Sequence, residues 1–220
     1  MAMGVGRLMG FRLINNFQRP YLATSITDFW RRWHISLSTW LKDYVYIPLG
    51  GSHCSKARNY WNIFVTFLVS GIWHGANWTF ILWGVLHGLF QIVEKMFGWQ
   101  KVTTRKLPVR LVRICVTFAL VTFAWIFFRQ PSIADAFGVI GRIVTDHGPL
   151  FNPSKTVMTF CFLSIVIVAC VDLTREFQYS KFVRFVHAPV VIRWCVYYAL
   201  VLLVLLCGVF DSSQFIYVSF

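Results

Sequence analysis

The sequence predicts an all-α protein of several membrane-spanning helices, with an amphipathic or re-entrant helix near its start. Three observations carry that prediction. Of the 220 residues, 57% are hydrophobic, 18% aromatic and only 13% charged, with a mean hydropathy of +0.62; soluble domains carry roughly 25% charged residues. Four uncharged runs, 59–93, 114–128, 156–171 and 194–210, have lengths on the scale of a bilayer. Basic residues collect between these runs, 21 Lys and Arg against 8 Asp and Glu, for a net charge of +13. A nucleic-acid-binding protein would gather such charge on one face of a folded domain. Here it alternates with apolar runs, which is the positive-inside pattern and suits contact with anionic membrane lipid, so no nucleic-acid partner is expected. The six cysteines form no CxxC pair and five lie in or beside apolar runs, where they read as small buried hydrophobes. Disorder and a disulfide scaffold are both excluded.

The opening stretch MAMGVGRLMGFRLINNFQRPY carries Arg7, Arg12 and Arg19 with no continuous apolar core. It reads as lacking a secretory signal, so insertion relies on internal spans. The segment 27–51 follows, and in it Trp30, Trp33, His34, Leu37, Trp40, Leu41 and Tyr44 recur at steps of three and four, one face of a helix. Ser25 with Asp28 is a capping pair at its start, and Pro48, Gly50 and Gly51 stop it. A Trp-rich amphipathic helix of this kind lies at the membrane interface or enters it obliquely. The run 59–93 would make a single helix of about 52 Å, far longer than the hydrocarbon core of about 30 Å. It is expected to break or tilt around GIWHGAN, Gly71 to Asn77. The runs 114–128, 156–171 and 194–210 are short spans whose flanking Arg113, Arg129, Arg175 and Arg193 can snorkel to the interface. Six basic residues between 93 and 114, a balanced connection at 129–155 and a basic one at 172–193 place the first and third connections in the cytoplasm and the second outside. The C-terminal tail then falls outside.

Among six histidines, His74 stands near the middle of the 35-residue uncharged run 59–93. An ionisable side chain at that depth is costly unless it faces the protein interior or a wet cavity, which makes it a functional candidate. The plainer alternative is a neutral imidazole bonded to a neighbouring helix. His34 lies on the aromatic face of the amphipathic segment, where an interfacial structural ring is the stronger reading. His87 stands between Gly84 and Gly88, a spacing that suits close helix packing. His53, His147 and His187 lie in polar loops and carry no signal. His53 beside Cys54 has no second pair at ligand spacing, so no metal is expected. No GxSxG, Walker or GxGxxG pattern occurs, leaving serine-nucleophile and nucleotide-binding readings without support.

The stretches DFWRRWHISLSTWLKDYVYIPLGG (Asp28 to Gly51) and SGIWHGANWTFILWGVLHG (Ser70 to Gly88) closely resemble the membrane-bound O-acyltransferases. The likeness is to the branch that acetylates alginate and exports D-alanyl groups for teichoic acid. GFRLINNFQRPYLATSIT and the terminal QFIYVSF look like the same branch, so the resemblance covers most of residues 4–95 and the last few residues. It implies a partial version of that fold, namely its C-terminal half, in the plasma (inner) membrane of a bacterium. It also implies that His74, in the WHG motif, is the active-site histidine and that His34, in RWHIS, is the second characteristic polar position. The implied reaction is transfer of an acyl group, typically acetyl from coenzyme A (an acyl-CoA donor substrate, with no bound cofactor), to the hydroxyl of an exported polysaccharide. An extracytoplasmic acetyltransferase or acyl-acceptor protein is the implied partner, together with a missing N-terminal half. Trp33, Trp73, Asn77 and Trp78 are candidates for the substrate channel by adjacency. Because the family's N-terminal helices have no counterpart here, the chain alone is expected to be weakly active or inactive. Two alternatives stay open: a non-enzymatic fragment or one half of a split acyltransferase, and a transporter, for which a mid-membrane histidine in a broken helix is also natural.

Overall fold

In the computed structural model, residues 2–101, 106–146, 155–177 and 188–207 are described. His147, His187 and the C-terminal QFIYVSF lie outside them, as do 208–210 of the predicted run 194–210, 147–154 of the connection 129–155 and 178–187 of the connection 172–193. The described residues are helical or irregular and contain no strand. Two units divide the chain, Met1–Gly148 and Pro149–Phe220.

The first unit opens with a short helix, α1 (Ala2–Leu8), and an irregular segment that runs to Arg19. The predicted amphipathic helix over 27–51 is instead two short helices, α2 (Ile26–Arg32) and α3 (Ile35–Leu41), followed by a π-helical turn at Lys42–Tyr46. Ser25 caps α2 as its spacing with Asp28 predicts, its Oγ accepting from the Asp28 N–H at 3.0 Å. The break falls at His34, whose φ of 46° and ψ of 53° are left-handed. That conformation is uncommon for a residue with a Cβ and needs outside support. The irregular segment supplies it: Ile35 N–H donates to the Asn16 carbonyl, Ser36 N–H to the Asn16 side chain, and Gln18 N–H to the Arg32 carbonyl. Helical periodicity could not report this, because the rescue comes from about twenty residues upstream.

The uncharged run 59–93 forms two antiparallel helices, α4 (Lys56–His74) and α5 (Trp78–Met96). The chain turns between them at Gly75, whose φ of 155° is rarely adopted by residues with a side chain, and a Cβ there would stand 2.9 Å from the Phe80 ring. The two helices cross at glycine. A Cβ on Gly84 would lie 2.4 Å from the Phe67 carbonyl oxygen, so only hydrogen fits. Helix α6 (Leu107–Arg129) packs on α5 with Val121, Ala124 and Phe127 buried, and α7 (Ile133–Thr145) follows, capped by Ser132 and closing over Phe127 with Phe137 and Ala136. Arg113 does not snorkel. It is 4% exposed inside α6, its guanidinium donating to the carbonyls of Thr24 and Trp99 and lying over the Trp99 ring. The second unit holds α8 (Lys155–Glu176) and α9 (Val190–Cys207). Among the described residues, Leu107–Arg129 and Met158–Glu176 are long and apolar enough to cross a membrane, and Val190–Leu205 is a shorter apolar helix.

Candidate active site

His74 is the last residue of α4, immediately before the Gly75 turn. It is 8% exposed and walled by aromatic rings: Trp73 at 4.8 Å between centroids, Trp83 at 5.1 Å and Phe128 at 5.1 Å, the latter two nearly edge-on. Trp83 comes from α5 and Phe128 from the end of α6, so three helices build the pocket around one imidazole.

His34 reaches the same place from the α2–α3 break. Its ring stands 6.1 Å from that of Trp73 at 88°, which leaves Trp73 between the two histidines. His34 is half-buried, its Nδ1 buried with no hydrogen-bond partner among the described residues. Burial holds this imidazole below its ordinary pKa, so it is neutral at pH 7 and able to accept a proton or polarise a neighbour. A left-handed backbone at a polar residue, fixed by neighbouring segments, is the kind of local strain found where a side chain must be aimed.

The four other predicted residues divide. Trp73 lies between the histidines and is 53% exposed, open on one side. Trp33 stacks on Phe29 at 5.6 Å and meets Phe17 at 4.8 Å and Trp125 at 5.4 Å, which makes it part of the aromatic wall behind His34. Asn77 caps α5, its Oδ1 accepting from Thr79 N–H, and its Nδ2 donates to the Pro131 carbonyl at 2.8 Å. Both ends of that amide are thereby engaged in holding α5 to the turn after α6. Trp78 is 70% exposed at the first position of α5. Sequence reasoning missed Trp83, Trp125 and Phe128. Trp83, on the run 59–93, shares a helical face with His87; Phe128 is one apolar residue among many in its run and carries no sequence signal.

A cavity of about 610 Å³ lies beside this site, between α2–α3 and α4–α5. Arg31, Lys42 and Lys95 line it together with Thr27, Ser38 and Thr66, and its wall on α4 reaches Ser70, one helical turn before His74. Lys42 also pairs with Asp43 at 3.3 Å, and Lys95 Nζ donates to Asn59 Oδ1. Asn59 in turn donates to Tyr46 Oη at 2.7 Å and the Gly51 carbonyl at 2.8 Å, fixing the loop after the π-turn against α4. Trp30 and Phe67, packed edge-to-face at 5.2 Å, belong to the same wall. The arrangement therefore offers a basic, hydroxyl-rich cavity near the far end of α5 and an aromatic cluster with two imidazoles, open at Trp73, near its start.

Comparison with known proteins bears on this geometry. The sequence model of the membrane-bound O-acyltransferase family matches residues 2–133, which includes both histidines. The chain is 49% identical over 152 residues to the probable alginate O-acetylase AlgI of Pseudomonas syringae pv. tomato, covering 69% of this chain and 27% of that protein. It is 42% identical over 151 residues to the peptidoglycan O-acetyltransferase of Helicobacter pylori, covering 67% and 28% respectively. Against the teichoic acid D-alanyltransferase of Bacillus subtilis it is 32% identical over 139 residues, covering 58% and 35%. The chain thus matches about a quarter to a third of the length of these curated relatives. With a family match over more than half of its length, centred on the helices that carry His34 and His74, the chain belongs to the membrane-bound O-acyltransferase family.

Proposed function

We propose that the chain works in O-acylation of an exported polysaccharide at a bacterial plasma membrane, in the manner its alginate- and peptidoglycan-acetylating relatives are named for. The donor is an acyl-CoA thioester, acetyl-CoA in the simplest case, and His74 is the general base. The acceptor hydroxyl gives its proton to the neutral His74 imidazole as its oxygen attacks the thioester carbonyl. The C–S bond then breaks, and the proton passes to the departing thiolate. Such a base contributes about 10² to 10⁴ in rate. His34, facing the same Trp73 ring, stabilises the charge that develops on the carbonyl oxygen or orients the acceptor.

The observation that carries this reading is the convergence of two sequence-distant imidazoles on one aromatic chamber at the turn between α4 and α5. The neighbouring cavity supports the choice of donor. Its Arg31, Lys42 and Lys95 suit a phosphate-bearing molecule, and Lys95 lies at the end of α5 that leads into the connection with six basic residues, the side expected to face the cytoplasm. Helices α6, α8 and α9 are the proposed spans, in a multipass chain solvated by lipid. An extracytoplasmic acetyltransferase or acyl-acceptor protein is the proposed partner for passing the group to the polysaccharide.

The test is complementation of a bacterium deleted for its own polysaccharide O-acetylase, with this chain exchanged for the matching segment of the full-length resident enzyme so that the family's N-terminal helices are present. Wild type restores acetyl incorporation, whereas His74→Ala lowers it by about 10² or more at equal membrane abundance. Incorporation by His74→Ala at the wild-type rate would remove the proposed base.

A further inference from the structure

One face of α5 carries three polar side chains at steps of four and three, His87, Gln91 and Glu94, and each of them bonds to α2. His87, fully buried, accepts at Nδ1 from the Trp30 indole N–H at 3.3 Å. Gln91 Nε2 donates to Thr27 Oγ1 at 3.4 Å. Glu94, 8% exposed, accepts with Oε2 from the backbone N–H groups of Ile26 at 2.6 Å and Thr27 at 3.2 Å. These are the first two donors of α2, and Ser25 takes the third, so three of the four N–H groups freed at that helix start are held by side chains. A carboxylate at a helix N-terminus gains from both charge and hydrogen bonding. The His87 bond also requires an unprotonated Nδ1, which puts its proton on Nε2.

The consequence lies at the other end of α2, where the chain leaves Arg32 for Trp33 and His34. Only two turns separate the clamped residues from the His34 break, so the orientation of α2 sets where that imidazole points. Trp83, one turn before His87 on the same face of α5, touches both His87 at 4.9 Å and His74 at 5.1 Å. The same helix face therefore forms a wall of the His74 pocket and grips the helix that presents His34.

We propose that His87, Gln91 and Glu94 form a positioning ladder that holds α2 in register on α5 and so aims His34 at the chamber of His74. His87 and Glu94 do not line the proposed donor cavity, whereas Gln91 lies on its wall as well as bonding Thr27. The link to catalysis rests on the function proposed above; the link to the His34 position does not.

The experiment measures carbethoxylation of His34 by diethyl pyrocarbonate in the full chain in its native membrane, read by mass spectrometry of the His34 peptide. Glu94→Ala is expected to raise the modification rate about tenfold, because it removes two charge-assisted bonds. Trp30→Phe, which keeps the ring and deletes one donor, raises it about threefold or more. Glu94→Gln, which keeps an acceptor oxygen, stays near wild type. In membranes prepared from the complementation strain, kcat for acyl transfer falls in the same order, with the donor KM unchanged in Glu94→Ala; Trp30→Phe is read on modification and kcat alone, because Trp30 also lines the proposed donor cavity. Should Glu94→Ala fail to accumulate, Trp30→Phe against Glu94→Gln makes the same comparison. Wild-type modification rates in both Glu94→Ala and Trp30→Phe, or in Trp30→Phe where Glu94→Ala does not accumulate, would overturn the ladder; so would a Glu94→Gln rate far above wild type. If the reactivity pattern holds but the wild type transfers no acyl group, the ladder stands and the proposed function fails.

Discussion

At His34 the backbone and the side chain make separate demands that substitutions can part. The left-handed φ of 46° is strained for any residue with a Cβ, whereas the imidazole is what the proposed chemistry uses. His34→Gly relaxes the backbone and deletes the ring; His34→Ala deletes the ring and keeps the strain. Glycine is accordingly expected to leave the protein more stable than alanine by about 1 kcal/mol, measured as thermal aggregation in detergent, while both lose acyl transfer equally. Equal activity of His34→Gly and wild type would show that only the turn matters. His74 stood out in the sequence because an ionisable residue in apolar surroundings is costly, whereas His34, read from its residues alone, favoured a structural ring and became a candidate only through the family resemblance. Their shared neighbour Trp73 was legible by adjacency alone, and Asn77, chosen the same way, turns out to spend its amide on capping α5 and on Pro131.

At the scale of the elements, α4 and α5 meet through glycine, and that contact decides how closely His74 and Trp83 approach. If these helices sit in lipid, little hydrophobic force pushes them together, so van der Waals packing at the crossing carries the association. Gly84→Ala places a methyl 2.4 Å from the Phe67 carbonyl oxygen, a backbone atom that cannot rotate away. It is expected to cost about 1–3 kcal/mol and to widen the helix pair, read as a lower midpoint of thermal unfolding and slower acyl transfer. Gly138→Ala is the control, since a Cβ there meets nothing within 4 Å. The amphipathic segment 27–51 shows where element prediction stops. Its periodicity runs smoothly through Trp33 and His34, but the helix breaks there because Asn16 and Gln18 capture the donors and acceptor that a continuous helix would have used.

For the whole molecule, the charge of +13 becomes a prediction of orientation. The connection between α5 and α6 carries the densest basic charge and is expected in the cytoplasm, with α7 on the opposite side. In a cysteine-free background, Lys106→Cys should resist a membrane-impermeant maleimide in intact spheroplasts and react once they are opened, whereas Asp135→Cys should react in both. The reverse pattern would invert the topology and move the basic cavity away from the cytoplasmic donor. The exposed apolar side chains of α8, among them Phe162, Ile165 and Val168, suit lipid or neighbouring helices as their surroundings.

The sequence by itself determined the class of the molecule, the order of its apolar runs, a break within Gly71 to Asn77 and the standing of His74 as a polar residue that merits attention. These are local properties, set by composition, glycine and the cost of an ionisable group among apolar neighbours. Only the tertiary structure decided that His34 and His74 share one aromatic chamber, that Arg113 is buried on backbone carbonyls, and that His87, Gln91 and Glu94 grip α2. Each of those joins residues far apart in the chain. Helical periodicity names the face a residue occupies but not the partner that face will meet.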